Sequence, residues 1–147
     1  MSYADVLPPS GKFVDNVFVF PVRVYYEDTD ADGIVYYVNY LKFAERARTE
    51  YLINLHISQQ ELLDNDKTCF VVRSCHIEYL SSAVLGDSLV VACRIKEFGG
   101  ASVVMEQKIY RGDDVLITME VKLIYISTVT HRPTRIPPQL KEKMGLQ

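Results

Sequence analysis

A chain of 147 residues, 48% hydrophobic and 24% charged, has the make-up of a globular protein large enough to bury a core, and its length points to one domain. The net charge is −3, with no basic stripe and no long run of like charge, which speaks against nucleic acid as the main partner. No apolar run is long enough to cross a bilayer, and the opening MSYADVLPPSGKF lacks the pattern of a signal peptide, so the expectation is a cytoplasmic protein with no membrane span.

Residues 1–16, with Pro8, Pro9 and Gly11, read as an irregular leader, and 17–147 as the domain. VFVFPVRVYY (17–26) is rich in β-branched and aromatic residues and predicts a strand. Pro21 inside it calls for an edge or a bulge. From Asn39 the period changes. Tyr40, Ala44, Ala47, Tyr51 and Leu55 recur every three or four residues, and Leu41, Phe43 and Leu52 widen the stripe. Lys42, Glu45, Arg46, Thr49 and Glu50 fall mainly opposite, so the segment predicts an amphipathic helix of about four turns. Ser58 and Glu61 have the spacing of a capping box that opens a second, short helix.

Beyond Asp66 the chain reads as strand. CFVVRSCHIEYL, DSLVVACRIKEF, ASVVMEQKIY and DVLITMEVKLIYIS are separated by SSAVLGD, Gly99–Gly100 and RGDD, which are turn signals. The tail predicts a loop and then a short helix opening at Pro137 or Pro138. The fold class is α+β, with one long helix against an antiparallel sheet. Cys75 and Cys93 lie in apolar runs and are expected to pack as small hydrophobes. His56, His76 and His131 are scattered, so no metal site is expected.

The chemistry concentrates in EDTDADGIVYYVN (27–39). Asp28, Asp30, Asp32 and Gly33 match the start of a calcium loop. The twelfth position is Asn39 where a bidentate Glu belongs, and a strand precedes the motif where a helix should. A phosphoryl-transfer aspartate needs a parallel α/β sheet, which four consecutive strands do not provide. The third reading sets a carboxylate at the mouth of a helix. Its first N–H groups lack internal partners, carry partial positive charge and can hold an oxyanion. Asp30 is then placed to attack a carbonyl or to activate water. On the residues alone, capping and turn formation explain these aspartates more simply.

RVYYEDTDADGIVYYVNYLKFAERARTEYL resembles the signature of the hotdog-fold thioesterases, and most of all the YbgC branch of the 4-hydroxybenzoyl-coenzyme A (CoA) thioesterase family. FVVRSCHIEYLSSAVLGDSL is similar to that family's second strand and the turn after it. The later strands and RPTRIPPQL fall in family order, so the resemblance covers roughly residues 20–143. It implies a long helix wrapped by a curved antiparallel sheet, and hydrolysis of an acyl-CoA thioester without a cofactor. Asp30 matches the catalytic aspartate, acting as nucleophile through a mixed anhydride or as base toward water. The backbone N–H of Tyr37 matches the oxyanion donor.

Tyr37 stands where many YbgC-type members carry histidine, and it is similar to the aromatic residue of the 4-hydroxybenzoyl enzyme. A backbone donor survives that exchange. Asp28 and Asp32 fall to turn and capping roles. Gly33 makes the tight turn, and Tyr36 and Tyr40 line the pocket with parts of a facing subunit. The family's dimers form edge to edge and commonly pair into tetramers. Some relatives hold the coenzyme phosphates with basic residues at a turn where this chain has Gly99 and Gly100. The remaining candidates are Arg132 and Arg135, then Arg94 and Lys96. Alternatives on the same fold are a thioesterase acting on acyl-carrier protein and a non-catalytic acyl-binding protein. The G-x-S-x-G motif of a serine hydrolase is absent.

Overall fold

The computed structural model describes residues 2–145. Its strands are β1 (Lys12–Val14), β2 (Val17–Arg23), β3 (Thr68–Tyr79), β4 (Ser88–Phe98), β5 (Ser102–Arg111) and β6 (Asp114–Ser127). They form one antiparallel sheet in the order β1-β2-β4-β5-β6-β3. The long helix α1 (Asn39–Asn54) packs on the inner face, mostly against β2 and β4. A short α2 (Gln59–Glu61) and a π-type turn (Leu62–Asp66) lead into β3, and α3 (Pro138–Gly145) follows the last strand.

The elements follow their local chemistry. β1 lies inside the segment read as an irregular leader. It forms a hairpin with β2 across Asp15 and Asn16, both at positive φ, the conformation that a two-residue hairpin turn demands. The first expected strand ends at Arg23, three residues early, and the chain turns into a 3-10 turn at Tyr26–Asp28. Pro21 lies beyond the reach of β1, where β2 has no outer neighbour and no N–H is needed.

In α1 the buried residues Tyr40, Phe43, Ala44, Ala47, Tyr51 and Leu52 form most of the expected stripe, whereas Leu41 is exposed and Leu55 caps the helix. The two alanines let the helix lie close to the sheet. The helix ends in a Schellman arrangement. Ile57 N–H donates to Leu52 O and His56 N–H to Ile53 O, each at 3.0 Å, with His56 at φ +58. Ser58 Oγ accepts the Glu61 N–H at 3.2 Å, the serine half of the capping box expected for α2.

Two polar contacts hold the frame. Gln107 on β5 is fully buried. Its Nε2 donates to Ala44 O at 3.0 Å and to Cys93 Sγ at 3.0 Å, and its Oε1 accepts from Arg48 Nη1 at 2.9 Å. One side chain thus ties α1 to β4 and β5. Burial pushes the Cys93 thiol up to about 12, so it stays neutral and packs as expected. The second contact closes the β3–β4 loop. Asp87 Oδ2 accepts from Val84 N–H and from Arg111 Nη1, both at 2.9 Å. The Val84 N–H, helped by Arg111, holds the Asp87 carboxyl below its ordinary value.

β3 is an edge strand, paired only with β6. Helix α1 lies toward β2 and β4 and leaves the β3 side of the inner face open. Val72 is 51% exposed, and Cys75 is exposed rather than buried as its apolar run suggested.

Replacing Gln107 by Leu removes the acceptor of a partly buried guanidinium, so we expect a loss of about 2 kcal/mol. Urea unfolding measures it, and an unchanged midpoint would refute the brace. For Asp87→Asn the sign follows from the depressed carboxyl. Its stabilisation is present above the unfolded value near pH 4 and is lost as pH falls through the lower folded value. The variant is therefore expected to be less stable than wild type at pH 7 and to converge with it in acid. A gap that does not narrow as the solution is acidified would contradict this.

Candidate active site

The segment between β2 and α1 is a loop closed by its own backbone. Asp28 is buried, and its Oδ2 accepts the Tyr25 N–H at 2.8 Å, which caps the 3-10 turn. Its carbonyl oxygen accepts twice, from Tyr36 N–H and from Asn39 Nδ2, both at 2.9 Å. Between these anchors Asp30 N–H donates to Ile34 O at 2.9 Å and Gly33 N–H to Asp30 O at 3.0 Å. Gly33 sits at φ +78, a region that a side chain resists. The loop rests on the β3–β4 connection, where Val35 N–H donates to Ala83 O at 2.9 Å.

The three aspartates are used differently. Asp28 is an internal cap and Asp32 is exposed. Asp30 is exposed, with Oδ1 accepting the Asp32 N–H at 2.9 Å and Oδ2 unpaired among the described residues. Their carboxylates do not converge. No group of three or more Asp, Glu, His or Cys among the described residues is placed to hold a metal.

At the other end of the loop α1 begins without a side-chain cap. Asn39 N–H donates to Tyr36 O at 2.8 Å, whereas neither the Tyr37 nor the Val38 N–H has an acceptor among the described residues. These are the uncapped donors of a helix start, where the dipole adds partial positive charge. The sequence thus brings Asp30 and the Tyr37 amide onto one closed loop.

Aromatic rings surround this end. Tyr36 and Tyr37 are half exposed, with ring centres 5.1 Å apart, and Tyr37 meets Tyr79 of β3 edge-on at 5.9 Å. Desolvation, and then the neighbouring Tyr37, raise the Tyr79 hydroxyl, which stays neutral. Tyr40 is buried, and its hydroxyl accepts the Ala83 N–H at 2.9 Å, so it braces the loop from inside the core. Tyr79 escaped sequence reasoning because nothing in HIEYL distinguishes it from any strand aromatic. Its role comes from where β3 ends.

The basic candidates lie elsewhere. Arg94 donates from Nη2 to Glu106 at 3.0 Å and Lys96 from Nζ to Glu120 at 2.7 Å, on the face of the sheet turned away from α1. Arg132 and Arg135 are exposed in the tail, beside the end of β6. The tail crosses the β4–β5 turn, where Ile136 N–H donates to Gly100 O at 2.9 Å and Lys141 Nζ to Gly99 O at 3.1 Å. That region joins the C-terminal end of α1 through Tyr51 Oη and Met144 O, 2.8 Å apart. A helix of 16 residues, about 24 Å, therefore separates Arg132 and Arg135 from Asp30 within one chain.

No helix among the described residues is long and apolar enough to cross a membrane. Comparison with known proteins agrees with the fold. The model of the Thioesterase superfamily matches residues 32–118. The chain is 44% identical to the acyl-CoA thioesterase YbgC of Haemophilus influenzae over 128 residues, 87% of this chain and 94% of that protein. It is 36% identical to the acyl-CoA thioesterase YbgC of Helicobacter pylori, over 84% of this chain and 96% of that one. The crystal structure of a probable thioesterase from Bartonella henselae superposes with a TM-score of 0.78 at 34% identity, covering 82% of this chain and 99% of that one. A 4-hydroxybenzoyl-CoA thioesterase mutant in complex with 4-hydroxybenzoyl-CoA shares the fold, with a TM-score of 0.81 at 19% identity over 88% of this chain and 99% of that one. The α+β sheet with its single long helix is the hotdog fold, and the chain belongs to the Thioesterase superfamily, in its YbgC branch.

Proposed function

We propose that this thioester hydrolase cleaves acyl-CoA to the free acid and CoA, with Asp30 as nucleophile or general base and the Tyr37 amide as oxyanion donor. The observation that carries the reading is one loop. It offers an exposed carboxylate with one oxygen unpaired among the described residues at one end and, at the other, a helix-start N–H likewise without an acceptor among them. The YbgC relatives support the substrate class by name.

Few groups suffice for this chemistry. As Asp30, or a water deprotonated by it, bonds to the thioester carbon, the carbonyl π pair moves to oxygen. The Tyr37 N–H holds that developing charge. Collapse re-forms the carbonyl and breaks the carbon–sulfur bond, and the thiolate leaves with the electron pair. If Asp30 attacks directly, a water then opens the mixed anhydride and restores the carboxylate.

A second copy of the chain completes the site in this reading. β3 presents 12 residues with a bare edge, and the adjoining inner surface exposes Leu41, Val72 and Tyr79. Pairing of two such edges satisfies the free backbone groups and encloses that surface without filling it. It also offers the partner's tail a route toward Asp30, which Arg132 and Arg135 cannot reach within their own chain.

Asp30→Asn is expected to lower thiol release from acyl-CoA by roughly 10²–10⁴-fold with unchanged unfolding behaviour. Near-normal turnover in that variant would remove Asp30 from the mechanism. Gly33→Val forces a β-branched residue to φ +78, although its Cβ meets no atom within 4 Å, so the cost is conformational. A strain of about 1–2 kcal/mol transmitted to the loop predicts a roughly tenfold slower reaction. An unchanged rate would show that the loop needs no such geometry.

A further inference from the structure

An open cleft of about 540 Å³ runs between α1 and the inner side of β3 and β6. It starts at Val38, next to the Tyr37 amide, and passes Leu41, Val72, Cys75 and Val121. Arg48 closes its far end, ten residues along the helix and so about 15 Å away. Beyond Arg48 lies a second cavity of about 150 Å³, lined by Leu52, Phe70, Met105 and Leu123 among others. Arg48, Glu45 and Val72 border both spaces and so form the wall between them.

Arg48 is an unusual group to find there. It is partly buried, and its Nη1 is held on the neutral Gln107 Oε1 at 2.9 Å. Among the described residues it forms no ion pair, nor do Lys42, Arg46 or Glu45, which share the cleft. Three cations thus face one carboxylate in a chain whose net charge is −3. Desolvation weighs against the charged Arg48 and the nearby Glu45 offsets it only in part, and a guanidinium withdrawn from water is stabilised by a carboxylate at its planar fork. The walls leading to it are mostly apolar, which suits a hydrocarbon chain and not the hydrated phosphates of a coenzyme.

Building on the thioesterase reading of the Asp30 loop, we propose that this cleft receives the acyl chain and that Arg48 ends it, selecting acyl groups that carry a carboxylate at the far end. An apolar chain end that reaches Arg48 desolvates the guanidinium without compensation, whereas a carboxylate pairs with it. A longer alkyl chain is stopped short of the second cavity.

The test compares kcat/KM for CoA thioesters matched in length, adipoyl against hexanoyl and suberoyl against octanoyl, together with lauroyl-CoA. Wild type is expected to favour the dicarboxylic member by roughly tenfold or more. Arg48→Met is expected to abolish that preference and to raise lauroyl-CoA turnover by joining the two cavities. Arg48→Lys, which keeps the charge without the fork, is expected to reduce the preference. It stands in if the Met variant does not fold, and an unchanged ratio in it overturns the proposal.

Three further results also overturn it. One is hydrolysis in wild type with no carboxylate preference, which leaves the Asp30 reading intact. Another is an equal loss on both acyl classes that disappears with acyl-pantetheine, which would place the guanidinium on the coenzyme. The third is dissociation of the Met variant on light scattering with both classes falling together, which would make the cleft a subunit contact. Wild type that cleaves no CoA thioester removes both readings at once.

Discussion

The packing of α1 against the sheet sets everything else in this fold. Tyr40, Phe43, Tyr51 and Leu52 supply the apolar area, and Ala44 and Ala47 let the helix lie close to β2 and β4. Gln107 then fixes the helix in place by bonding to Ala44 O and Arg48 while donating to Cys93. Buried polar groups of this kind must be fully paired, and this one is, so it adds definition to an otherwise apolar contact. Once α1 is seated, its first N–H groups are placed, and the loop before it is tied to them through the Asn39 side chain and the Tyr36 N–H, both on Asp28 O.

That loop shows how a short acidic run divides its labour. Asp28 turns inward and serves the backbone, and Asn39 reaches back to its carbonyl, so the loop is closed from both ends. Asp30 is left outside with one carboxylate oxygen in a local turn and the other unpaired among the described residues. The phenol of Tyr40 and the Asp87–Arg111 contact support the same loop from below, through Ala83 and Val84. The exposed Asp30 carboxylate is thus carried on a loop closed by its own hydrogen bonds, which is the preorganisation that the proposed chemistry requires.

Much of this was legible in the residues. The 3.6-residue stripe from Tyr40 to Leu52 specifies the helix and its buried face, and the turn signals at Gly99–Gly100 and RGDD mark the hairpins, because local periodicity and backbone preference act over a few residues. The hairpin of β1 was missed. Its signal is two adjacent residues at positive φ, and Asp15–Asn16 in a polar leader does not announce them. Cys75 was misjudged because an apolar run predicts burial only when something covers it, and α1 lies over the other half of the sheet. Arg94 and Lys96 look like any other basic residues in sequence. Their ion pairs with Glu106 and Glu120 join residues 12 and 24 positions apart.

Sequence alone was enough for the class of fold, the family, and the placing of an aspartate just ahead of a helix start, since each of these is written in neighbouring residues or in their order. The three-dimensional arrangement settled matters that span strands. Tyr40 is a brace in the core while Tyr36 and Tyr37 stay half exposed. Tyr79 joins the aromatic end of the loop, and Arg132 and Arg135 sit a helix length from Asp30. Arg48 borders two cavities and, among the described residues, forms no ion pair, although Glu45 lines the same two spaces. The reason is the same throughout. Which side of a sheet a residue faces, and what stands opposite it, depends on strand order and register, and these join positions that are far apart along the chain.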